Sequence, residues 1–200
     1  MKKILPFLLV LLLLTPGAAH ADPILFSAVL TGPAENPPTP SPGLGVSLVA
    51  YDPSVRTLHV LAAFTNLLAP TTIAHIHCCV DPPGTASPAT PLPSFPGFPT
   101  GVTSGFYDEI FDLSDPASFS PAFITASGGT PQAAELALAE GLALGMAYFN
   151  IHTTTFPGGE IRGFLTGPGV TAPIPEPATL LLVGSGVALA AVVRRRRRPE

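Results

Sequence analysis

The stretch LGVSLVAYDPSVRTLHVLAAFT, residues 44–65, contains two runs of alternating apolar residues on either side of a turn signal. Alternation with a period of two is typical of strands that bury one face. Asp52, Pro53 and Ser54 are residue types that favour tight turns. This stretch therefore predicts an antiparallel hairpin.

Five further apolar runs, separated by Gly-Pro, Asn-Pro-Pro and Pro-Gly-Gly turn signals, continue this pattern along the chain. The seven predicted strands span residues 24–30, 44–51, 57–65, 73–78, 105–111, 145–153 and 160–165. Strands that follow one another without long helices between them are typical of an antiparallel sandwich or barrel. The sequence therefore predicts a mainly β domain.

Two stretches interrupt the strand pattern. Residues 80–102 are rich in Pro, Ser, Thr and Gly, which predicts a long loop. Within residues 114–143, Ser120-Pro121 and Thr130-Pro131 each combine a helix N-cap residue with proline at the first helical position. We expect one or two short helices in this crossover, which links the fifth and sixth strands.

The first 21 residues have the order of a secretory signal peptide. Lys2 and Lys3 precede an apolar run over residues 4–14, and AHA at 19–21 fits the small-x-small cleavage rule. We expect cleavage between Ala21 and Asp22. The alternative, an uncleaved anchor, is disfavoured because the run is shorter than the ~20 residues that cross a bilayer.

The other end of the chain has three parts in a fixed order. Pro175, Glu176 and Pro177 come first, an uncharged apolar stretch over residues 178–193 follows, and five arginines occupy residues 194–198. The apolar stretch predicts a transmembrane helix, and the arginines act as a cytoplasmic stop signal. Residues 167–174 are expected to be a linker. A plain C-terminal anchor is the alternative interpretation.

Charge narrows the function classes. Charged residues make up 11% of the 200-residue chain, and seven of its nine basic residues lie in the two ends. Residues 22–172 keep only Arg56 and Arg162 as basic residues, against eleven acidic ones. An acidic domain is a poor partner for nucleic acid or an anionic membrane surface, so we exclude nucleic-acid binding.

Three histidines offer the clearest chemistry in the domain. His75 and His77 occupy alternate positions of one predicted strand and therefore share a face, on which we also expect Cys79. His152 lies in the sixth strand, with Ile151 facing the core. If the two strands pair, the three imidazoles can hold one ion, and neutral imidazole suits Cu, Zn or Ni. The competing interpretation is that they form local hydrogen bonds on a half-exposed face.

Glu160 and Arg162 are predicted to share a strand face just after the turn PGG at residues 157–159. The simplest interpretation is a structural ion pair that orders the hairpin or, if buried, anchors a polar network. The second interpretation is that Glu160 orients a metal-bound imidazole.

The remaining reactive residues point to no recognisable catalytic arrangement. Cys78 and Cys79 are adjacent, which leaves a vicinal disulfide, two free thiols or one metal-bound thiolate open. His59 is expected at the surface. The acidic residues Asp108, Glu109, Asp112 and Asp115 lack EF-hand spacing, and a solvated face is the simpler interpretation.

The chain resembles the CHRD domain, the module first described in chordin. The resemblance rests on FSAVLTG at residues 26–32 with ENPP at 35–38, AHIH at 74–77, NIHT at 150–153 and PGGEIRG at 157–163. It covers about residues 24–166 and implies an immunoglobulin-like or superoxide-dismutase-like β-sandwich. We place the CHRD domain at residues 22–166.

Two further resemblances concern sorting and metal. Residues 175–200 resemble the PEP-CTERM sorting signal of Gram-negative bacteria, which implies processing by an exosortase-type membrane protease. His75 and His77 are similar to the copper-binding pair of Cu,Zn superoxide dismutases, with His152 as a third ligand. The zinc-site residues and the cysteine arrangement of those enzymes are missing, which argues against dismutase activity.

The leading expectation is a non-enzymatic structural or binding module. The tail would hold it in the inner membrane until processing delivers it to the cell surface or the extracellular matrix. Matrix components or polysaccharide are its expected partners. The alternative is an extracellular copper- or zinc-binding protein that uses His75, His77 and His152, and a redox-active ion is included in this alternative.

Overall fold

The computed structural model describes residues 22–167. Its elements are β1 (Ile24–Thr31), β2 (Leu44–Asp52), β3 (Thr57–Thr65), β4 (Thr71–His77), β5 (Gly105–Asp112), α1 (Pro121–Ala126), α2 (Pro131–Ala143), β6 (Tyr148–Thr153) and β7 (Ile161–Phe164). The seven predicted strands and the crossover helices are confirmed, with boundaries that move by a few residues at most. The predicted signal peptide, its cleavage point, the sorting motif and both terminal apolar helices lie outside the described residues.

All seven strands belong to one antiparallel sheet in the order β4-β6-β7-β1-β2-β3-β5. The weakest strand pairing is the one between β7 and β1, near the middle of this order. These two strands pair only at Thr31 and Arg162, with an isolated bridge between Ser27 and Thr166. The sheet curls at this point into a half-barrel. We call β4, β6 and β7 the short half and the other four strands the long half. The mainly β, sandwich-like fold is confirmed, with its two halves joined rather than separate.

One apolar core fills the concave side of the sheet. Strands β2 and β3 bury every second residue, as alternation requires. In the short half, Ile76, Phe149 and Ile151 face the same core. Phe95 comes from the long loop rather than from a strand, and its ring lies within 5.6 Å of the rings of Phe149 and Phe111. The proline-rich loop therefore contributes a side chain to the core.

The two helices begin where their N-caps predict. Ser120 Oγ accepts a hydrogen bond from the backbone N–H of Phe123, and Thr130 Oγ1 accepts one from that of Ala133. Helix α2 is fastened to the β2–β3 hairpin by Glu135, which receives hydrogen bonds from Tyr51 and from Arg56. Between residues 22 and 167, the structure contains no helix with the length and apolarity needed to cross a membrane.

The convex faces of the two halves differ. The long half exposes a row of apolar side chains across its strands, among them Val29, Val46 and Phe106. Val29 of β1 pairs with Val46 of β2, and Ala63 of β3 lies between Val46 and Phe106 of β5. On the short half, the loop between β4 and β5 runs along the free edge of β4. Phe95 N–H donates to the carbonyl of Ala74, and Ala89 N–H donates to that of Ile76. This loop and other loop segments cover the outward-facing side chains of the short half, which are therefore buried.

Candidate metal centre

The structure brings His75, His77 and His152 together on the convex face of the short half. His75 and His77 alternate with Ile76 along β4, and His152 alternates with Ile151 along β6. The antiparallel register pairs Ile73 with His152 and His75 with Asn150. Because the isoleucines face the core, the three imidazoles face away from it. Their ring centroids are 5.6 to 5.8 Å apart.

All three histidines are buried, with exposed fractions of 2%, 6% and 7% in chain order. The histidines therefore do not lie on a half-exposed face, and this part of the competing interpretation is wrong. The alternation correctly separates them from the core, but loop segments cover the outer face as well. The site is consequently shielded from water on both sides of the sheet.

Each imidazole uses one ring nitrogen to hold a backbone carbonyl. His75 Nε2 lies 2.8 Å from the carbonyl oxygen of Pro93, and His77 Nδ1 lies 2.8 Å from that of Ala86. His152 Nδ1 lies 2.9 Å from the carbonyl oxygen of Pro157. A carbonyl oxygen only accepts, so each of these nitrogens must carry the proton. The hydrogen bonds thereby fix the tautomer of every ring.

The opposite nitrogens are His75 Nδ1, His77 Nε2 and His152 Nε2. They are buried and have no hydrogen-bond partner among the described residues. In a neutral imidazole whose other nitrogen is protonated, such an atom carries a free lone pair. A buried polar atom without a partner is costly. Three of them in one place therefore indicate a group that binds there.

The protonation state of the rings suits a metal ligand. Burial lowers the pKa of His75 and of His77 from the ordinary 6.5 to about 4, and it lowers the pKa of His152 as well. The neighbouring imidazoles lower the pKa of His75 and His77 further, and in the described part of the chain no carboxylate contributes to any of the three shifts. The rings are therefore neutral at pH 7 without a metal ion.

The spacing is close to what one ion requires. One ligand atom from each histidine lies within 4.8 Å of those from the other two. Nitrogens bound to one ion at ~2.0–2.1 Å are ~3.5 Å apart. Closing the site therefore takes side-chain shifts of less than ~1 Å, which are small for rings held by single hydrogen bonds.

Next to His77 lie an aromatic and a charged side chain, Tyr148 and Arg162. The ring of Tyr148 stacks on His77, with centroids 4.8 Å apart and planes 3° apart. The guanidinium of Arg162 lies 4.8 Å above the same tyrosine ring. Arg162 is 1% exposed and donates to the carbonyls of Ala34, Pro83 and Gly84. It ties the loops that cover the site to strand β7.

The predicted ion pair between Glu160 and Arg162 is wrong, because the structure gives each residue other partners. Arg162 Nε lies 3.8 Å from a carboxylate oxygen of Glu35. Glu160 precedes β7 and accepts hydrogen bonds from Ser41 Oγ, Leu68 N–H and Thr153 Oγ1. Both residues do anchor buried polar networks. The second interpretation also fails, since the imidazoles use backbone carbonyls and not Glu160.

The prediction that Cys79 lies on the same face as His75 and His77 is wrong. Strand β4 ends at His77, so the alternation stops before the cysteines. Cys78 and Cys79 form a vicinal disulfide, one of the three states that the sequence left open. Their sulfurs lie against Gly141 of α2, and Cys79 Sγ is 3.5 Å from the carbonyl of Ala137. The disulfide therefore contacts the crossover helix.

The other polar candidates lie on the surface. His59 is partly exposed at the surface, as predicted, and its Nε2 is 2.6 Å from Asp108. Asp112 and Asp115 accept hydrogen bonds from Ser114 and from the backbone N–H of Ala117, as turn residues do. Both aspartates serve local turn geometry.

Two family models match the chain. The family model of the CHRD domain matches residues 26–165, most of the described chain. The chain belongs to the CHRD domain family. The model of the PEP-CTERM protein-sorting motif matches residues 173–198. No curated protein and no solved structure matched the chain.

The two matches together support an export route for the protein. A CHRD domain followed by a PEP-CTERM signal supports an exported Gram-negative protein that is anchored in the membrane before exosortase processes it. The histidines, Glu35 and Arg162 all lie inside the matched CHRD region.

Sequence reasoning missed several contributors to the site. The carbonyls of Ala86, Pro93 and Pro157 leave no signal, because every residue carries a carbonyl. Tyr148 had a signal, since it shares the alternation of His152, but stacking on His77 depends on strand register. Glu35 is a buried acid after a Gly-Pro turn, and only the folded chain shows its proximity to Arg162.

Proposed function

We propose that this CHRD domain is an exported, non-enzymatic module that binds one transition-metal ion through His75, His77 and His152. The observation that carries the proposal is the set of three buried imidazole nitrogens without hydrogen-bond partners. Their opposite nitrogens are committed to backbone carbonyls, which is the arrangement that orients metal-bound histidines in proteins. Copper and zinc are the ions that such a donor set suits best.

The place of action forms part of the proposal. Cleavage between Ala21 and Asp22 would release the domain from its leader, and exosortase processing near Pro175, Glu176 and Pro177 would deliver it to the cell surface or the extracellular matrix. A metal-binding module there would hold an ion outside the cell. The absence of a recognised catalytic arrangement in the sequence supports a binding role.

The test is the metal content of the full chain, exported to the periplasm of a heterologous host and extracted in detergent. We expect about one Cu or Zn per chain. The double variant His75→Ala/His77→Ala should contain none, whereas His59→Ala, which removes a partly exposed surface histidine, should keep it. Tyrosine fluorescence reports folding, since Tyr51, Tyr107 and Tyr148 are all buried in the domain.

A wild-type chain that stays metal-free after incubation with Cu and Zn would contradict the proposal. The histidines would then be architectural. The remaining candidate would be a matrix module for polysaccharide, which a glycan array can test directly.

A further inference from the structure

The charge of the bound ion can be argued from the donor set, and this step rests on the proposed function. Each of the three histidines keeps one N–H on a carbonyl, so each offers a neutral nitrogen. Three neutral ligands add no negative charge to the centre. The ion would therefore bring its whole charge into a buried site.

Nearby anions do not compensate that charge. Among the described residues, the cluster of histidine, cysteine and carboxylate atoms close enough to share an ion contains only His75, His77 and His152. The Cys79 sulfur is part of the disulfide beside α2. Glu35 is beside Arg162, and Glu160 is occupied by three hydrogen bonds.

A positive charge, which the Glu35 carboxylate 3.8 Å away offsets only in part, lies on the same side of the site. The guanidinium of Arg162 is above the ring of Tyr148, whose ring stacks on His77. Arg162 is buried, so its charge is screened less than that of a surface residue. The guanidinium repels a positive ion bound by the three histidines, and it repels a divalent ion more strongly than a monovalent one.

We infer that the three-histidine site selects monovalent copper, Cu(I), over divalent zinc. The cost of desolvating an ion grows with the square of its charge, so a divalent ion loses about four times as much as a monovalent ion of similar size. Among the metals that imidazole suits, copper is the one with a common monovalent state. Three neutral nitrogens complete the coordination of Cu(I) without a further anion.

The experiment measures both affinities on the full chain in detergent and without oxygen. Ascorbate keeps copper as Cu(I), bicinchoninate competes for it, and a chromogenic chelator competes for Zn(II). We expect one Cu(I) per chain, bound about 1,000-fold more tightly than Zn(II). The copper-loaded chain should give no electron paramagnetic resonance signal until it is oxidised.

A charge variant tests the reason for the preference. Asn150 is the cross-strand neighbour of His75 and of Arg162, and it is buried on the histidine face. Asn150→Asp adds a negative charge with almost no change in volume. It should shift the ratio of affinities toward Zn(II) by about 10-fold or more. Asn66→Asp makes the same chemical change in an exposed loop and should leave the ratio unchanged.

The results distinguish a failure of metal binding from a failure of the Cu(I) preference. Failure to bind either ion overturns the proposed function itself. Binding of Zn(II) as tightly as Cu(I) overturns the inference and leaves the metal site in place. A Cu(I) preference that folded Asn150→Asp does not alter overturns the charge argument. If that variant does not fold, the wild-type affinities still decide whether Cu(I) is preferred.

Discussion

The two halves of the sheet share one construction on the inside and differ on the outside. Both direct alternate apolar residues to the core, such as Val49 in the long half and Ile76 in the short half. On the convex side, the long half exposes Val46 and Phe106, whereas the short half buries His75 and His77. The difference lies in the loops, which cover only the short half. Alternation assigns a side chain to a face, and the loops decide whether that face meets water.

The covered half carries the unusual chemistry because covering changes the solvent of its side chains. Exposed histidines would bind water at both nitrogens. Under the loops, one nitrogen of each ring finds a carbonyl and the other finds no partner. The same residues in the place of Val46 and Ala63 would form an ordinary polar surface.

The largest expected effect comes from a charge on the shared inner face. Ile76→Asp and Ile151→Asp each bury an uncompensated carboxylate at a position with 0% exposure and should cost about 3–5 kcal/mol. Val46→Asp, on the open face of β2, should cost less than about 1 kcal/mol. Urea unfolding of the exported chain, followed by tyrosine fluorescence, measures all three. Equal stability of the Ile76 and Val46 variants would place the core on the wrong side of the sheet.

A smaller effect on the free energy of unfolding is expected when the pH changes, and it arises from the buried histidines of the short half. The pKa values of His75 and His77 are about 4 in the folded chain and about 6.5 when unfolded, so the unfolded state binds protons more readily. This contribution to the stability of the metal-free chain is complete above pH 6.5 and is lost as the pH falls toward 4. Burial raises the pKa of Glu35 from 4.5 to about 7, which acts in the opposite direction over that range.

The net result should be a loss of about 1–2 kcal/mol in the free energy of unfolding between pH 7 and pH 5. Urea titrations of the metal-free chain at both values measure it. Glu35→Gln removes the opposing contribution and should steepen the loss. If the Glu35→Gln chain, which lacks that opposing contribution, became more stable between pH 7 and pH 5, the lowered pKa values of His75 and His77 would be contradicted.

The smallest effect is expected on the open face. Phe106 is 62% exposed on β5, and Phe106→Ser should change the free energy of unfolding by less than about 0.5 kcal/mol. The urea midpoint at two protein concentrations measures this. A loss above about 2 kcal/mol that depends on concentration would mean that another molecule covers this face, and the contrast between the halves would disappear.

The elements of the fold were predictable because their signals are local. Apolar alternation located the strands, Asp52-Pro53-Ser54 located a hairpin, and Ser120-Pro121 located a helix start. The curl of the sheet was not predictable, because it depends on Thr31 meeting Arg162, which lies far away in the sequence. No period or turn signal encodes that pairing.

The site was predictable only in part. The spacing of His75 and His77 indicated a shared face, and the matching alternation around His152 indicated a partner strand. Burial was not predictable, because the stretch over residues 80–102 has no periodicity that says where it lies. The expectation for Cys79 was wrong for a related reason, since alternation cannot say at which residue a strand ends.

The carbonyls that hold the three rings have a consequence for how this site can vary among relatives. Any residue can supply a carbonyl at positions 86, 93 and 157, provided that the backbone keeps its path. The covering loops can therefore diverge in composition while the same ring nitrogens stay free for an ion. A comparison of residues position by position would register the histidines and overlook the main chain that makes them ligands.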